Sequence, residues 1–388
     1  MNAAKEPTIE WREADVTHAA RWCSPGGVAP PRRVLPVDDT LRAEAAYRLA
    51  CEGTALLWRG DFQNARQLLQ ALARRLDRKA RGEGGPPGAG FPEAFHRQRM
   101  AQAQRAHLLG RLLIPFEAGH LIPLRRAPDV HEACEEVLGK RDEAYVLSLR
   151  ELLGLIGAHE WRKKGVFVPA LGEGIHPHHG VFSPVRGEYV ALVNETPLPA
   201  AASRLALDVG TGTGVLAAVL AKRGVRRVLA TDRDERALLC ARDNVARLGL
   251  GASIELIQTD LFPPGRAPLI VCNPPWIPGK PASLLEHAVY DPESRMLRGF
   301  LAQLAAHLEP GGEGWLILSD LAEHLKLRSR ESLLTWIEQA GLQVLERRDV
   351  RPTHAKATDP DDPLHAARAA EVTSLWRLGG RETGTPAL

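Results

Sequence analysis

The apolar positions change rhythm near residue 165. Before it, apolar residues over 41–58, and again at Phe62, Ala65, Leu69, Leu72 and Leu76, recur every three to four positions. That spacing predicts two helices, each with one apolar face. Asp39 or Thr40 stands where a side chain can cap the first, and Gly60-Asp61 separates the pair. The pair has no second copy, so no repeat array is expected. Residues 1–35 end Pro-rich (VAPPRRVLP) and read as a segment wrapped over the surface. The clearest later helical pattern spans 142–161. Then KKGVFVPALGEGIHPHHGVFSP breaks into short strands joined by Gly/Pro turns. From Arg204 on, short apolar runs alternate with helical patterns, as in a parallel α/β sheet. Strands are predicted at 205–209, 227–231, 253–257 and 269–272, with a helix at 215–222.

Composition changes this picture little. The chain has 388 residues, 44% apolar and 25% charged, which suits two globular domains. A formal charge of +3 neither demands nor excludes nucleic acid. The most basic stretch, Arg74 to Arg111, holds nine Lys and Arg against three acids, with little aromatic interleaving. It reads as solvated helix faces before it reads as an RNA-facing surface. Five cysteines, none in a C-x-x-C pair, suggest buried, inert thiols in a reducing compartment. No apolar run approaches the ~20 residues that span a bilayer, and the N-terminus lacks an apolar signal core. A cytoplasmic protein without a membrane partner is expected. Three histidines in GIHPHHG, 174–180, read as a polar turn rather than a metal site, since further ligands at metal spacing are lacking. No metal is expected.

The chemistry concentrates in LALDVGTGTG and VCNPPW. In the first, a strand runs into Gly210, Gly212 and Gly214, followed at once by a helix. Glycines let the backbone turn tightly and approach a ligand closely. Val215 stands where the dinucleotide fingerprint wants its third glycine. Asp208 at the loop entrance would repel a pyrophosphate and attract an ammonium. Asp232, at the tip of the second strand, suits a ribose hydroxyl. Asp260, after the third strand, can accept from an adenine amino group while Leu261 covers the ring. In the second motif, Asn273, Pro274, Pro275 and Trp276 make a rigid, donor-poor corner at the end of the fourth strand. The Asn273 side-chain oxygen and the Pro274 carbonyl can accept from the two N–H bonds of a planar nitrogen, and Trp276 can stack on it. Preorganised acceptors of this kind are a source of rate.

These motifs, in this order and at these distances, resemble class I S-adenosylmethionine-dependent methyltransferases. Within them the chain resembles the Asn-Pro-Pro-aromatic branch that methylates nitrogen, both HemK-type protein-glutamine methyltransferases and small-domain ribosomal RNA methyltransferases. The resemblance covers about 165–378. It implies a Rossmann-like α/β fold whose seven-stranded sheet ends in an antiparallel strand, EVTSLWRL, with S-adenosyl-L-methionine as cofactor. Asp208, Gly210, Thr211, Gly212 and Gly214 would hold its methionine part. Asp232 and Arg233 would lie at the ribose, and Asp260 and Leu261 at the adenine. Phe182, Pro184 and Glu188, from HGVFSPVRGEY, would close the pocket. AVYDPESRMLRGFL is similar to a HemK-type feature after the corner, while Trp276 replaces the commoner tyrosine.

The expected organisation is a mostly helical recognition domain over 1–163 and a β-hairpin connector and lid over 164–200. The cofactor-binding domain follows over 201–380, with a disordered tail over 381–388. The insertion at 353–372 is placed to fold over the substrate mouth. The expected activity is N-methylation of a protein glutamine or an RNA base. A small metabolite as acceptor, or an idle scaffold serving as a binding module, are the alternatives.

Overall fold

The computed structural model describes residues 6–82, 90–352, 362 and 364–381. The glycine-rich stretch at 83–89, most of the insertion (353–361 and 363) and the tail 382–388 lie outside these residues. The chain forms two compact units, one of residues up to 89 with 96–160, the other of 90–95 with 161 onward.

The first unit is an α/β unit. Its strands are β1 (Thr8–Glu13), β2 (Val16–Trp22), β3 (Arg33–Val37), β4 (Thr54–Trp58), β5 (Leu112–Phe116) and β6 (Tyr145–Ser148). They form one mixed sheet in the order β1-β2-β6-β5-β4-β3. Between them lie helices α1 (Ala43–Cys51), α2 (Phe62–Gly82), α3 (Phe91–Leu109), α4 (His131–Leu138) and α5 (Leu149–Lys164), the last continuing into the second unit. Helical residues outnumber strand residues, but the expected helical domain is built on a sheet. The reason is burial on both faces: TALLW, LLIPF and YVLS are buried at every position, and such short apolar runs carry no strand alternation. The expected helix at 41–58 is therefore α1 and β4, and that at 142–161 is β6 and α5. Likewise the segment 1–35 supplies the β1–β2 hairpin and the start of β3. The periodicity at Phe62 does give α2, with Phe62, Ala65, Leu69 and Leu72 buried.

The second unit opens with a hairpin of β7 (Val166–Val168) and β8 (Glu173–Ile175). Then come α6 (Glu188–Glu195), β9 (Ala206–Val209), α7 (Val215–Lys222), β10 (Val228–Asp232), α8 (Glu235–Arg247), β11 (Ile254–Gln258) and β12 (Ala267–Cys272). After a long loop follow α9 (Arg295–His307), β13 (Leu308–Ser319), α10 (Leu321–His324), α11 (Arg330–Gln339), β14 (Leu342–Val350), α12 (His365–Ala369) and β15 (Thr373–Gly380). Seven strands pair in the order β11-β10-β9-β12-β13-β15-β14, with β15 antiparallel to both neighbours. Alternation assigns each side chain to a face. Leu269, Val271, Trp315 and Ile317 pack with α6 and α7, whereas Ile270, Cys272, Leu316 and Leu318 pack with α9 and α11. Sheets covered on both faces by helices have central strands buried at every position, and β9 and β12 are, Asp208 included. The strand order reverses at β9, which lies between β10 and β12. The carboxyl ends of these strands therefore border the crevice where open α/β sheets bind ligands.

Candidate active site

The loop after β9 is shaped by three glycines with left-handed backbones, at φ 75° (Gly210), 54° (Gly212) and 81° (Gly214). The backbone N–H groups of Gly210 and Thr211 both donate to Thr231 O, at 2.9 and 2.8 Å, which pins the loop to the end of β10. A Cβ at Gly214 would lie 3.2 Å from the Ala241 Cβ on α8, so the loop touches that helix. A Cβ at Gly212 would meet nothing within 4 Å; this turn faces open space.

Two carboxylates organise the loop. Asp208 is 1% exposed. One of its oxygens accepts from Thr211 Oγ1 at 2.6 Å and from the Ala217 N–H in the first turn of α7 at 3.1 Å. Burial pushes its pKa up to about 6; the two hydrogen bonds oppose the rise and the Asp232 charge adds to it. Asp232 accepts from the Gly212 N–H at 3.1 Å and the Asp234 N–H at 2.9 Å, and burial raises its pKa too. A cationic group arriving beside them would therefore relieve a real cost. Open space at Gly212 beside the buried Asp208 and the half-buried Asp232 fits a ligand that carries an ammonium and a sulfonium.

Of the remaining expected residues, Arg233, Asp260 and Leu261 follow the ends of β10 and β11, whereas Phe182 and Pro184 precede α6. Arg233 is exposed just beyond β10. Asp260 is exposed after β11. Leu261 holds a strained φ of 71°, and its carbonyl accepts from Thr231 Oγ1 at 2.7 Å. Phe182 is half-buried and Pro184 buried. Glu188 opens α6, with an oxygen 3.3 Å from Arg186 Nε. Burial pushes up the pKa of Tyr189 next to it, and the Asp208 and Glu188 charges add to the rise. The histidines are tied down locally. His176 Nδ1 lies 2.6 Å from Arg162 O and His178 Nε2 2.9 Å from Asp243. No group of three or more potential metal ligands occurs among the described residues. Of the cysteines, four are buried and Cys51 is exposed, contrary to the expectation that all are inside.

The corner after β12 is braced from several sides. Trp276 Nε1 donates to Asn273 Oδ1 at 2.9 Å. The Arg186 guanidinium lies 5.2 Å above the indole ring. Arg328 Nη1 donates to the Trp276 carbonyl at 3.3 Å. Beyond the corner, the Asp291 carboxylate accepts from the Met296 and Leu297 N–H groups at 3.0 and 3.1 Å and caps α9. Arg186 and Asp291 sit inside stretches the sequence had singled out. Arg328 carries no local signal, because it meets the corner from 52 positions away in the chain.

A family model described as "Methyltransferase small domain" matches residues 173–339. A ribosomal protein L11 methyltransferase of Sorangium cellulosum is 33% identical over 154 residues, covering 40% of this chain and 40% of the relative. A release factor glutamine methyltransferase of Cereibacter sphaeroides is 40% identical over 111 residues, covering 28% of this chain and 36% of the relative. Another, of Deinococcus radiodurans, is 34% identical over 157 residues, covering 37% and 53%. The chain thus spans about half or less of the length of these relatives. Among solved structures, a methyltransferase from Pyrococcus furiosus aligns over 58% of this chain and 98% of its own, at 20% identity and a TM-score of 0.39. Residues 173–339 of this chain are thus similar to the methyltransferase small domain family, and the match supports S-adenosylmethionine as the cofactor.

Proposed function

We propose that this chain is an S-adenosylmethionine-dependent N-methyltransferase acting on a planar side-chain nitrogen of a protein, with glutamine as the acceptor residue. The observation that carries this reading is the position of Asn273. It follows β12, whose neighbour β9 ends in the glycine loop with its two carboxylates. The cofactor, when bound, supplies an electrophilic methyl group. Asp208 and Asp232 hold its cationic and ribose parts. At the corner, an amide nitrogen is a weak nucleophile because its lone pair is delocalised. Accepting from its two N–H bonds, through Asn273 Oδ1 and the Pro274 carbonyl, holds it in place and raises its electron density. A carbonyl oxygen has two lone pairs, so the Trp276 N–H leaves one on Asn273 for the substrate. As the N–C bond forms and the S–C bond breaks, the nitrogen sheds one proton to solvent.

Two observations favour protein over RNA. The relatives above are named for a release factor and a ribosomal protein. Several arginines of the basic stretch are also engaged locally: Arg105 with Asp77, Arg75 over the Tyr47 ring, and Arg111 against His107. The same relatives suggest a cytoplasmic site of action; no described helix is long and apolar enough to cross a membrane.

The test is transfer from tritiated S-adenosylmethionine into an extract of cells lacking this chain, followed by protease or ribonuclease. Protease-sensitive label with a 14 Da gain on a glutamine is expected. Ribonuclease-sensitive label would replace the protein reading with an RNA base, and label in small molecules would replace both.

A further inference from the structure

We propose that Trp276 is a positioning residue for Asn273, and that the pairing of the half-buried Arg186 with the buried Glu371 keeps it in register. This rests on the reading of Asn273 as the acceptor of the substrate N–H. An asparagine amide has two orientations related by a half-turn, and only one presents its oxygen. The indole N–H is a donor and never an acceptor, so the atom 2.9 Å from it is the amide oxygen. The flipped amide would set two donors face to face. The contact therefore commits Asn273 to the accepting orientation before any substrate arrives, and leaves its second lone pair open.

The indole is itself fixed. Arg186 lies over its face at 5.2 Å. Arg186 Nη2 donates to both Glu371 oxygens at 3.1 Å. Glu371 is 1% exposed and accepts from Ser319 Oγ at 2.6 Å, at the end of β13. A chain of bonds thus runs from the sheet through Glu371 and Arg186 to Trp276 and Asn273. Arg328 holds the corner's backbone separately. Phenylalanine or tyrosine at 276 would offer a stacking ring, but no donor at the indole nitrogen's position.

The substrate-free test uses protein with nitrogen-15 in its tryptophans. The Trp276 indole signal is assigned by its loss in Trp276→Phe, with the other seven tryptophans as the control for folding. In wild type it should resonate downfield and exchange slowly with solvent. In Asn273→Ala it should move upfield and exchange fast. An unmoved signal overturns the proposal. The functional test is the rate of label transfer into the extract. Trp276→Phe should lower the maximal rate ~10–100-fold. The extract concentration for half-maximal rate and the affinity for S-adenosylhomocysteine should stay unchanged. A wild-type rate in Trp276→Phe, or a loss confined to half-maximal concentration, reduces Trp276 to a stacking platform and overturns the proposal. If Asn273→Ala itself transfers at the wild-type rate, the failure belongs to the acceptor reading instead.

Discussion

On the proposed function, Asp208 should trade stability against cofactor binding. Its folded pKa, about 6, lies above the ordinary 3.8. Between those values the folded protein keeps a proton that the unfolded chain releases. Stability must therefore fall as pH rises through this window, and then stay level above it. A shift of this size corresponds to roughly 2–3 kcal/mol at neutral pH. Asp208→Asn keeps an oxygen for Thr211 and Ala217 but carries no charge. The cofactor-free variant should melt above wild type at pH 7, and the gap should close toward pH 4. The same variant should bind S-adenosylmethionine at least ~10-fold more weakly, since a charge pair is lost from a buried site. Thermal unfolding from pH 4 to 8, with calorimetric titration, reads both. A variant that is less stable and binds normally would contradict this role. Asp208 is visible in the sequence as an acid ahead of glycines; its burial and its bond to the α7 amide are not. Arg186 and Glu371, 185 positions apart, are brought together only by the strand order.

Among elements, the glycine loop makes the sharpest contrast. Gly212 and Gly214 both have left-handed backbones, yet only Gly214 is in close contact with another helix. Gly214→Ala should destabilise the fold by ~1–3 kcal/mol, adding a clash with Ala241 to the backbone penalty. Gly212→Ala should cost only the backbone part, ~1–2 kcal/mol. It should nevertheless lose more cofactor affinity than its stability loss suggests, because its methyl enters the open side of the loop. Denaturant melts beside cofactor titrations separate the two; equal stability losses with equal affinities would refute the distinction. The sequence made β9, α7, β10, β11 and β12 legible to within a few residues, because each strand is a short, largely apolar run closed by a glycine, an acid or the Asn-Pro-Pro turn. β4, β5 and β6 were not legible. They are short runs buried at every position, so neither period nor burial tells them from a stretch of helix.

For the whole molecule, the family match and the candidate site fall in the second unit, whereas the first unit's sheet carries no motif that names its partner. On the proposed function, one strand end binds the cofactor and its neighbour activates the acceptor. The most direct measurement is a calorimetric titration of full-length wild type and Asn273→Ala with S-adenosylhomocysteine, run beside methyl transfer on the same preparations. Equal affinities, with transfer reduced at least ~100-fold in the variant, are expected. Loss of affinity in step with transfer would place Asn273 in the cofactor pocket and contradict its role as acceptor, and undiminished transfer would move the reaction away from this corner altogether.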